Sequence, residues 1–417
     1  MKKNIACIIL AAGKGERMKS KTPKVLHNIC GRPMLGYVLD LVKALKIKTW
    51  VTVLGYKHEE VKKYLGAGAK TVLQKKLIGT GDAVKEAQKA LRGFKGTVLV
   101  LYGDTPLLTK ETIEKLLKRH EESSADATLL TVQMDKPDGY GRILRDKYST
   151  VCGIIEDKDA NEVQKDIKEI NSGIICFNNQ KLISVLKELK PNNRKKEYYL
   201  TDVISIFYKK DYLVENLKIN DINEAMGINS RVELAKANSI MQARLNEKYM
   251  KEGVAIVDPA TTFISYGTKI GRDTIIYPFT VVETNVKIGA RCYVGPFAHL
   301  REDTILEDEV TAGNFLEVVR SKIGKKTFVK HFTYIGDSTV GQDVNIGAGT
   351  VTANFDHGNK SRTVIKDGAC IGSDTILVAP VVVGKKAITG AGAVLAKNKN
   401  IPDNAIAIGV PARCIKR

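Results

Sequence analysis

Up to about residue 229, short apolar runs alternate with longer stretches of helical period. The runs IACIILAA (5–12), WVTVLG (50–55), GTVLVLYGD (96–104) and ATLLTVQM (127–134) read as buried strands. Apolar positions three and four apart predict helices over 34–45, 81–92 and 110–121. Strand and helix in alternation predict a mostly parallel sheet covered on both faces, since parallel neighbours need a crossover between them. From Ser230 to Glu252 the pattern becomes that of one helix, with Leu234, Ala237, Met241, Leu245 and Tyr249 on one face. Ser230 and Glu233 have the spacing of a capping box, and Gly253 suits the stop. This helix is expected to connect two domains.

Beyond Gly253 the period changes to six. Ile264, Ile270, Ile276, Val282, Ile288, Val294, Leu300 and Leu306 follow one another without a slip. The phase returns at Ile323, Val329 and Ile335, at Val340 and Ile346, and at Ile365, Ile371, Leu377 and Val383, with Leu395 in phase and Thr389 a polar exception. A six-residue repeat is the mark of a parallel β-helix, in which each short strand stacks on the coil below and the aliphatic residue fills the interior. The coil resembles the left-handed hexapeptide type of acyltransferases, which departs from the usual right-handed crossover. Between Ile346 and Ile365 the period is lost in TVTANFDHGNKSRT, which predicts a loop extruded from the coil. The expected fold class is therefore α/β: a Rossmann-like domain over 1–229, a linker helix over 230–252, and a left-handed parallel β-helix over 253–417.

Composition narrows the partners. Of 417 residues, 66 are Lys or Arg and 46 Asp or Glu, so a net charge of +20 favours anionic ligands. With aromatics at 6% and one tryptophan, Trp50, base-stacking platforms are scarce and nucleic acid is not expected as a partner. The seven cysteines, Cys7, Cys30, Cys152, Cys176, Cys292, Cys370 and Cys414, are scattered and odd in number, which points to free thiols in a reducing cytoplasm. No run is long enough to span a membrane, and the apolar start is broken by glycine and charge too early for a signal peptide.

Candidate chemistry begins directly after the first strand, in LAAGKGERMKSKTPK (10–24). Gly13 and Gly15 let the backbone turn sharply and present N–H groups to a polyphosphate, while Arg17 and Lys24 supply cations where charge builds on a phosphoryl group. The spacing G-x-G-x-x-G is absent, which disfavours a nicotinamide site. LAAGxGxRM followed by PK resembles the sugar-1-phosphate nucleotidyltransferases. LQKKLIGTGDA (73–83), LYGDTPLL (101–108), GYGRI (139–143), IIEDKDA (154–160), NSGI (171–174), EYYLTDV (197–203) and GINSR (227–231) follow in that family's order. Asp104 ends a strand before Pro106, which puts its carboxylate at the carboxyl edge of the sheet, where it suits Mg²⁺. The resemblance pairs Asp104 with Asn229 as metal ligands. It implies that Leu10, Ala11, Ala12, Gly13, Lys24, Gln74, Gly79 and Thr80 receive the nucleotide, and that Gly141, Glu156 and Asn171 hold the sugar.

The coil carries His299, His331 and His357, too widely spaced to suggest a three-histidine zinc site. GPFAHLRED, GNFLEV, KHFTYIGDS, VNIGAGTVTANFD, GNKSRT and GSDTILVAP run in order. Together with the first half, they resemble the bifunctional N-acetylglucosamine-1-phosphate uridyltransferase / glucosamine-1-phosphate N-acetyltransferase family over essentially the whole chain. That resemblance implies a cytoplasmic homotrimer acting on glucosamine 1-phosphate, acetyl-CoA and UTP with Mg²⁺. It makes His331 the general base, Glu317 the carboxylate that orients its ring, and Arg301, Tyr334, Asn345, Asn354 and Lys360 the sugar-phosphate site. Ala348, Ser373 and Ala391 would contact acetyl-CoA. Alternatives are a nucleotidyltransferase of broader sugar specificity with another amino-sugar acetyltransferase, and a non-catalytic protein combining the two folds. The chain departs from the family pattern at Leu77, where a second glutamine is usual, at Val319, where a lysine is usual, and in its short tail. Strand alternation would turn Arg320 away from the face on which residue 319 lies, which predicts a gain in sugar-phosphate affinity from Val319→Lys unless a corner intervenes.

Overall fold

The computed structural model describes residues 4–415. Chain contacts divide it into two compact units that meet within one helix, Met1–Ala237 and Asn238–Arg417. In the first unit the sheet runs Val214–Ile219, Ala127–Gln133, Glu169–Asn178, Thr97–Tyr102, Ile5–Ala11, Thr49–Leu54, Thr71–Leu73. Along this path every pairing is parallel except those of Glu169–Asn178, which is antiparallel to both neighbours. Ile5–Ala11 shows why an unbroken apolar run belongs here. Ala6, Ile8 and Leu10 enter one core with helices Thr80–Ala90 and Asp202–Lys209, while Cys7, Ile9 and Ala11 enter the other with Met34–Ala44 and Lys110–Glu122. The chain builds outward on one side of Ile5–Ala11 and then resumes on the other with Thr97–Tyr102. The carboxyl ends of these two strands therefore flank the switch point, where α/β sheets bind ligands.

The helix Arg231–Lys251 begins with half of the expected capping box. The Ser230 hydroxyl accepts from the Glu233 N–H at 3.2 Å, but the Glu233 carboxylate accepts from the N–H of Asn229, one residue earlier, at 2.6 Å. Glu233 thus braces a residue expected to bind metal.

In the second unit successive short strands stack in parallel into three sheets, the faces of a prismatic coil. Ile264, Ile276, Val282, Val294 and Leu300 are fully buried, and Thr262, Thr274, Thr280 and Thr304, two residues before in-phase positions, are buried with them. Thr389, the polar exception, is buried too, and its hydroxyl accepts from the Gly372 N–H at 2.9 Å. The corners take positive φ at Asp273, Phe279, Asn285, Arg291, Phe297, Asp303, Glu309 and Phe315, repeating the same six-residue period. The lost period is a small hairpin, Phe355–Asp356 against Asn359–Lys360, after which Thr363–Ile365 rejoins the coil. The helix's C-terminal half is tied to the first coils, with Asn246 donating to the carbonyls of Pro259 and Thr262 at 2.9 and 3.0 Å and Tyr249 to that of Thr268 at 2.9 Å.

One corner overturns the parity expected for Val319. Leu300 pairs with Val318, but the next in-phase pairing is Leu306 with Ile323, so this corner is one residue shorter than the one beneath it. Val318 and Val319 are consequently both buried, and Arg320 takes positive φ at the corner itself. Val319 faces the interior and no ligand. Val319→Lys is expected to lower the thermal midpoint of the coil by about 10 °C or more, since an unpaired buried ammonium costs several kcal/mol. A melt within 2 °C of wild type would show that the position has access to solvent.

Candidate active sites

Around the switch point the first unit gathers most of its candidate residues. The loop after Ala11 carries the short turn Glu16–Met18, with Arg17 exposed, and Gly15 at φ 66 lies so close to Lys24 that a Cβ there would come within 2.6 Å of the lysine side chain. Gly13 is open on its Cβ side, which leaves its backbone accessible. Pro23 starts the turn Lys24–Leu26, from which the Lys24 ammonium reaches the Asp104 carboxylate and, at 3.1 Å, the Asn229 side-chain oxygen. Asp104 is nearly buried, and its carbonyl accepts from the Ile228 N–H at 3.0 Å, so the strand end and the segment before the linker helix are fastened together. Two hard oxygen donors from distant parts of the chain converge on one cation, and that donor set suits Mg²⁺.

Gln74 is buried and its amide donates to the Gly79 carbonyl at 3.0 Å and to Asp82 at 2.9 Å. Gly79, at φ 117, must lack a Cβ, because one would stand 2.4 Å from the Tyr198 carbonyl. The EYYLTDV segment is strapped to this turn, since Tyr198 exchanges backbone bonds with Ile78 and Gly81 and the Thr80 hydroxyl accepts from the Leu200 N–H. Leu77 is exposed at the rim.

Beyond it, Asn171 donates its N–H to the Gly141 carbonyl at 2.8 Å, and a Cβ on Gly141 would lie 3.7 Å from the Glu156 carboxylate. Glu156 accepts from the Thr201 hydroxyl at 2.9 Å. It opens onto a cavity of about 580 Å³ lined by Glu156, Asp159, Tyr199 and Asp202. Burial raises the pKa of Glu156, and burial together with the charges of Glu156 and Asp159 pushes Asp202 up to about 6. Sequence reasoning passed over Asp202, although it lies in a quoted motif.

The raised value of Asp202 has a definite sign. Below the ordinary aspartate value of 3.8 both folded and unfolded chains hold the proton. As pH rises to about 6 the unfolded chain loses it first, so stability falls, and above 6 the full penalty remains. Asp202→Asn is therefore expected to raise the first unit's thermal midpoint at pH 7.5 and to leave it unchanged at pH 3.5. An equal shift at both values would mean that charge is not the cause.

On the coil, neighbouring strands bring Asn314 beside His331. The ring's Nδ1 lies 3.1 Å from the Asn314 side-chain oxygen. An oxygen partner assigns the proton to Nδ1 and leaves Nε2 as the basic nitrogen, on an exposed residue. Glu317, the carboxylate expected beside the ring, instead accepts from Arg301 Nη1 at 2.7 Å, and Arg301 also approaches Glu283. Asn314 stood inside the GNFLEV string but carried no signal of its own.

Tyr334 donates to the Asn354 side-chain oxygen at 3.4 Å, and Lys360 is exposed on the hairpin that Asn354 enters. Asn345 does not join this group. It opens a strand on another face of the coil, with its amide 4.0 Å from the Cys370 sulfur. Ala348, Ser373 and Ala391 fall on successive coils at one corner, linked by Asp374 N–H to the Ala348 carbonyl and Gly392 N–H to the Ser373 carbonyl, both at 2.7 Å. The corner residue Gly349 in turn donates to the carbonyl of Phe332, the residue after His331, so the small residues continue upward from the histidine. Below, the same corner carries Phe279, Phe297 and Phe315, exposed and stacked ring on ring at 4.9 and 4.8 Å. Among the described residues no helix is long and apolar enough to cross a membrane.

A glycine-bearing loop at a sheet's switch point, joined to a hexapeptide coil with an exposed histidine, fits a transferase with two active units. The MobA-like NTP transferase domain family matches residues 7–170, and the bacterial transferase hexapeptide family (six repeats) matches 267–302. The chain is 43% identical to the bifunctional protein GlmU of Geobacillus thermodenitrificans and 44% identical to that of Heliobacterium modesticaldum, each over 96% of this chain and 94% of the relative. It is 44% identical to the same protein of Fervidobacterium nodosum, over 98% of this chain and 95% of the relative. The chain belongs to this bifunctional family, and its coil is of the left-handed hexapeptide type. It is an enzyme with two transferase activities: it acetylates glucosamine 1-phosphate from acetyl-CoA and transfers UMP from UTP to the N-acetylglucosamine 1-phosphate so formed.

Proposed function

We propose that the two reactions are carried by separate constellations, uridylyl transfer within residues 1–229 and acetyl transfer within 253–417, with the helix over 230–252 as linker. The observation that carries this reading is the convergence of Lys24, Asp104 and Asn229 in the first unit, apart in the chain from His331, Asn314 and the Tyr334–Asn354 group in the second.

In uridylyl transfer the sugar phosphate oxygen attacks the α-phosphorus of UTP and the bond to pyrophosphate breaks. Asp104 and Asn229 would hold Mg²⁺, which when bound neutralises charge on the nucleotide phosphates. Leu10 to Gly13 cradle the phosphates through the backbone, and Arg17 and Lys24 stabilise charge on the transferring group. Gln74, Gly79 and Thr80 receive the nucleoside, and Gly141, Glu156 and Asn171 hold the sugar. In acetyl transfer the amine nitrogen attacks the thioester carbonyl, the bond to sulfur breaks, and His331 Nε2 takes the proton that the amine sheds. Arg301, held by Glu317, joins Tyr334, Asn354 and Lys360 around the sugar phosphate. The corner of Ala348, Ser373 and Ala391 leaves room for the coenzyme, and Asn345 bears on the substrate from a neighbouring face.

The exposed phenylalanine ladder supports a trimer built through the coils, and the scattered free thiols support a cytoplasmic setting. Incubation of the purified chain with glucosamine 1-phosphate, acetyl-CoA, UTP and Mg²⁺ tests the reading. UDP-N-acetylglucosamine, pyrophosphate and free coenzyme A should appear together, and release of coenzyme A without pyrophosphate would leave only the second half standing.

A further inference from the structure

The shortened corner that buries Val319 recurs one coil higher. Val319 pairs with Gly336, and from Ile335 to Val340 the in-phase spacing is again five, so the corner residues Arg320 and Asp337 lie one above the other, both at positive φ. Their side chains meet face to face. The Asp337 carboxylate accepts from Arg320 Nε at 2.7 Å and from Nη2 at 2.8 Å, the bidentate geometry that fixes both planes. Arg320 Nη1 has no partner among the described residues. The same carboxylate accepts from the Asn354 amide, whose oxygen in turn accepts from Tyr334. Asn354 is buried, and both ends of its amide are spoken for, so its rotation is determined.

Asp337 also holds the hairpin at its neck. Asn354 enters the excursion, Ser361 N–H closes it onto the Asn354 carbonyl at 2.9 Å, and the chain rejoins the coil where Thr363 N–H meets the Asp337 carbonyl at 3.4 Å. Gly336 provides the floor. A Cβ there would stand 2.5 Å from the Tyr334 hydroxyl and 2.7 Å from the Asn354 amide nitrogen, so the two side chains meet only over a glycine. The Arg320 and Asn354 hydrogen bonds and the Lys360 charge outweigh burial and hold the Asp337 carboxyl below the usual aspartate range. It therefore stays an anion that organises one guanidinium and one amide.

We propose that Asp337 is a positioning residue for acetyl transfer: it orients the Asn354 amide and sets the Arg320 guanidinium with Nη1 free to meet the anionic group of the sugar. The proposal rests on the assignment of Tyr334 and Asn354 to the sugar-phosphate site. Kinetics of acetyl transfer on the full chain separate the possibilities. Asp337→Asn suits the left-handed corner, removes the charge, and is expected to raise KM for glucosamine 1-phosphate about tenfold, a loss of ~1.4 kcal/mol. KM for acetyl-CoA and the rate of uridylyl transfer should stay within twofold of wild type. Arg320→Gln should reproduce the selective rise, and it serves as the deciding variant if Asp337→Asn does not fold. A rise in both KM values, or no rise in either variant, would overturn the positioning role. Asn354→Ala guards the underlying assignment: if it leaves acetyl transfer intact, the site itself lies elsewhere, whereas if it cripples transfer while Asp337→Asn and Arg320→Gln do not, only the positioning role falls.

Discussion

Asp104→Asn is expected to lower pyrophosphate release from UTP and N-acetylglucosamine 1-phosphate by roughly a thousandfold. Charge stabilisation by a bound cation is worth several kcal/mol, and each 1.36 kcal/mol is a factor of ten. The substitution removes the negative charge from one of the two convergent oxygen donors, the anion that the Lys24 ammonium reaches, while the amide keeps the size of the side chain. Acetyl transfer should be untouched, because the partners of Asp104, Lys24 and the Ile228 N–H, belong to the first unit. Release within tenfold of wild type would contradict the metal-holding role proposed for Asp104.

His331→Ala should do the reverse, lowering acetyl transfer by ~10²–10⁴-fold, the usual contribution of a positioned general base. The exposed ring makes few packing contacts, so the melting curve should barely move. Because Asn314 rather than Glu317 meets Nδ1, Nε2 is the ring nitrogen left to act as the proposed base. If His331→Ala retained acetyl transfer at a comparable rate, another group would be the base.

How much of this was legible beforehand follows from what each signal encodes. The coil could be read because its interior samples one residue per face, which prints an aliphatic position every six residues from Ile264 to Leu306. The sheet could be read because Ile5–Ala11 is buried on both sides and leaves an unbroken apolar run. Asp104 and Asn229 are far apart in the chain, and only resemblance joined them; the Lys24 side chain that bridges them is a contact no pattern announces. The errors concentrate at one place. Alternation along a strand says nothing of a corner, and the corner after Val318 lacks a residue, so Val319 turns inward and Arg320 outward to Asp337. The same shortening sets which residues of successive coils stand side by side, and it puts Asn314 beside His331. Cross-coil partners of this kind are properties of register, which a single in-phase count does not determine.

Two separable reactions on one chain, with the acetylated sugar phosphate passing between them, form the core of the account. The most direct measurement mixes two crippled proteins. Asp104→Asn alone and His331→Ala alone should each fail to convert glucosamine 1-phosphate, acetyl-CoA and UTP into UDP-N-acetylglucosamine. Combined in one tube, they should restore that conversion, since the first supplies the acetylated intermediate and the second consumes it. A mixture that stays inert, while each variant still performs its own half reaction, would contradict release of the intermediate between two independent sites.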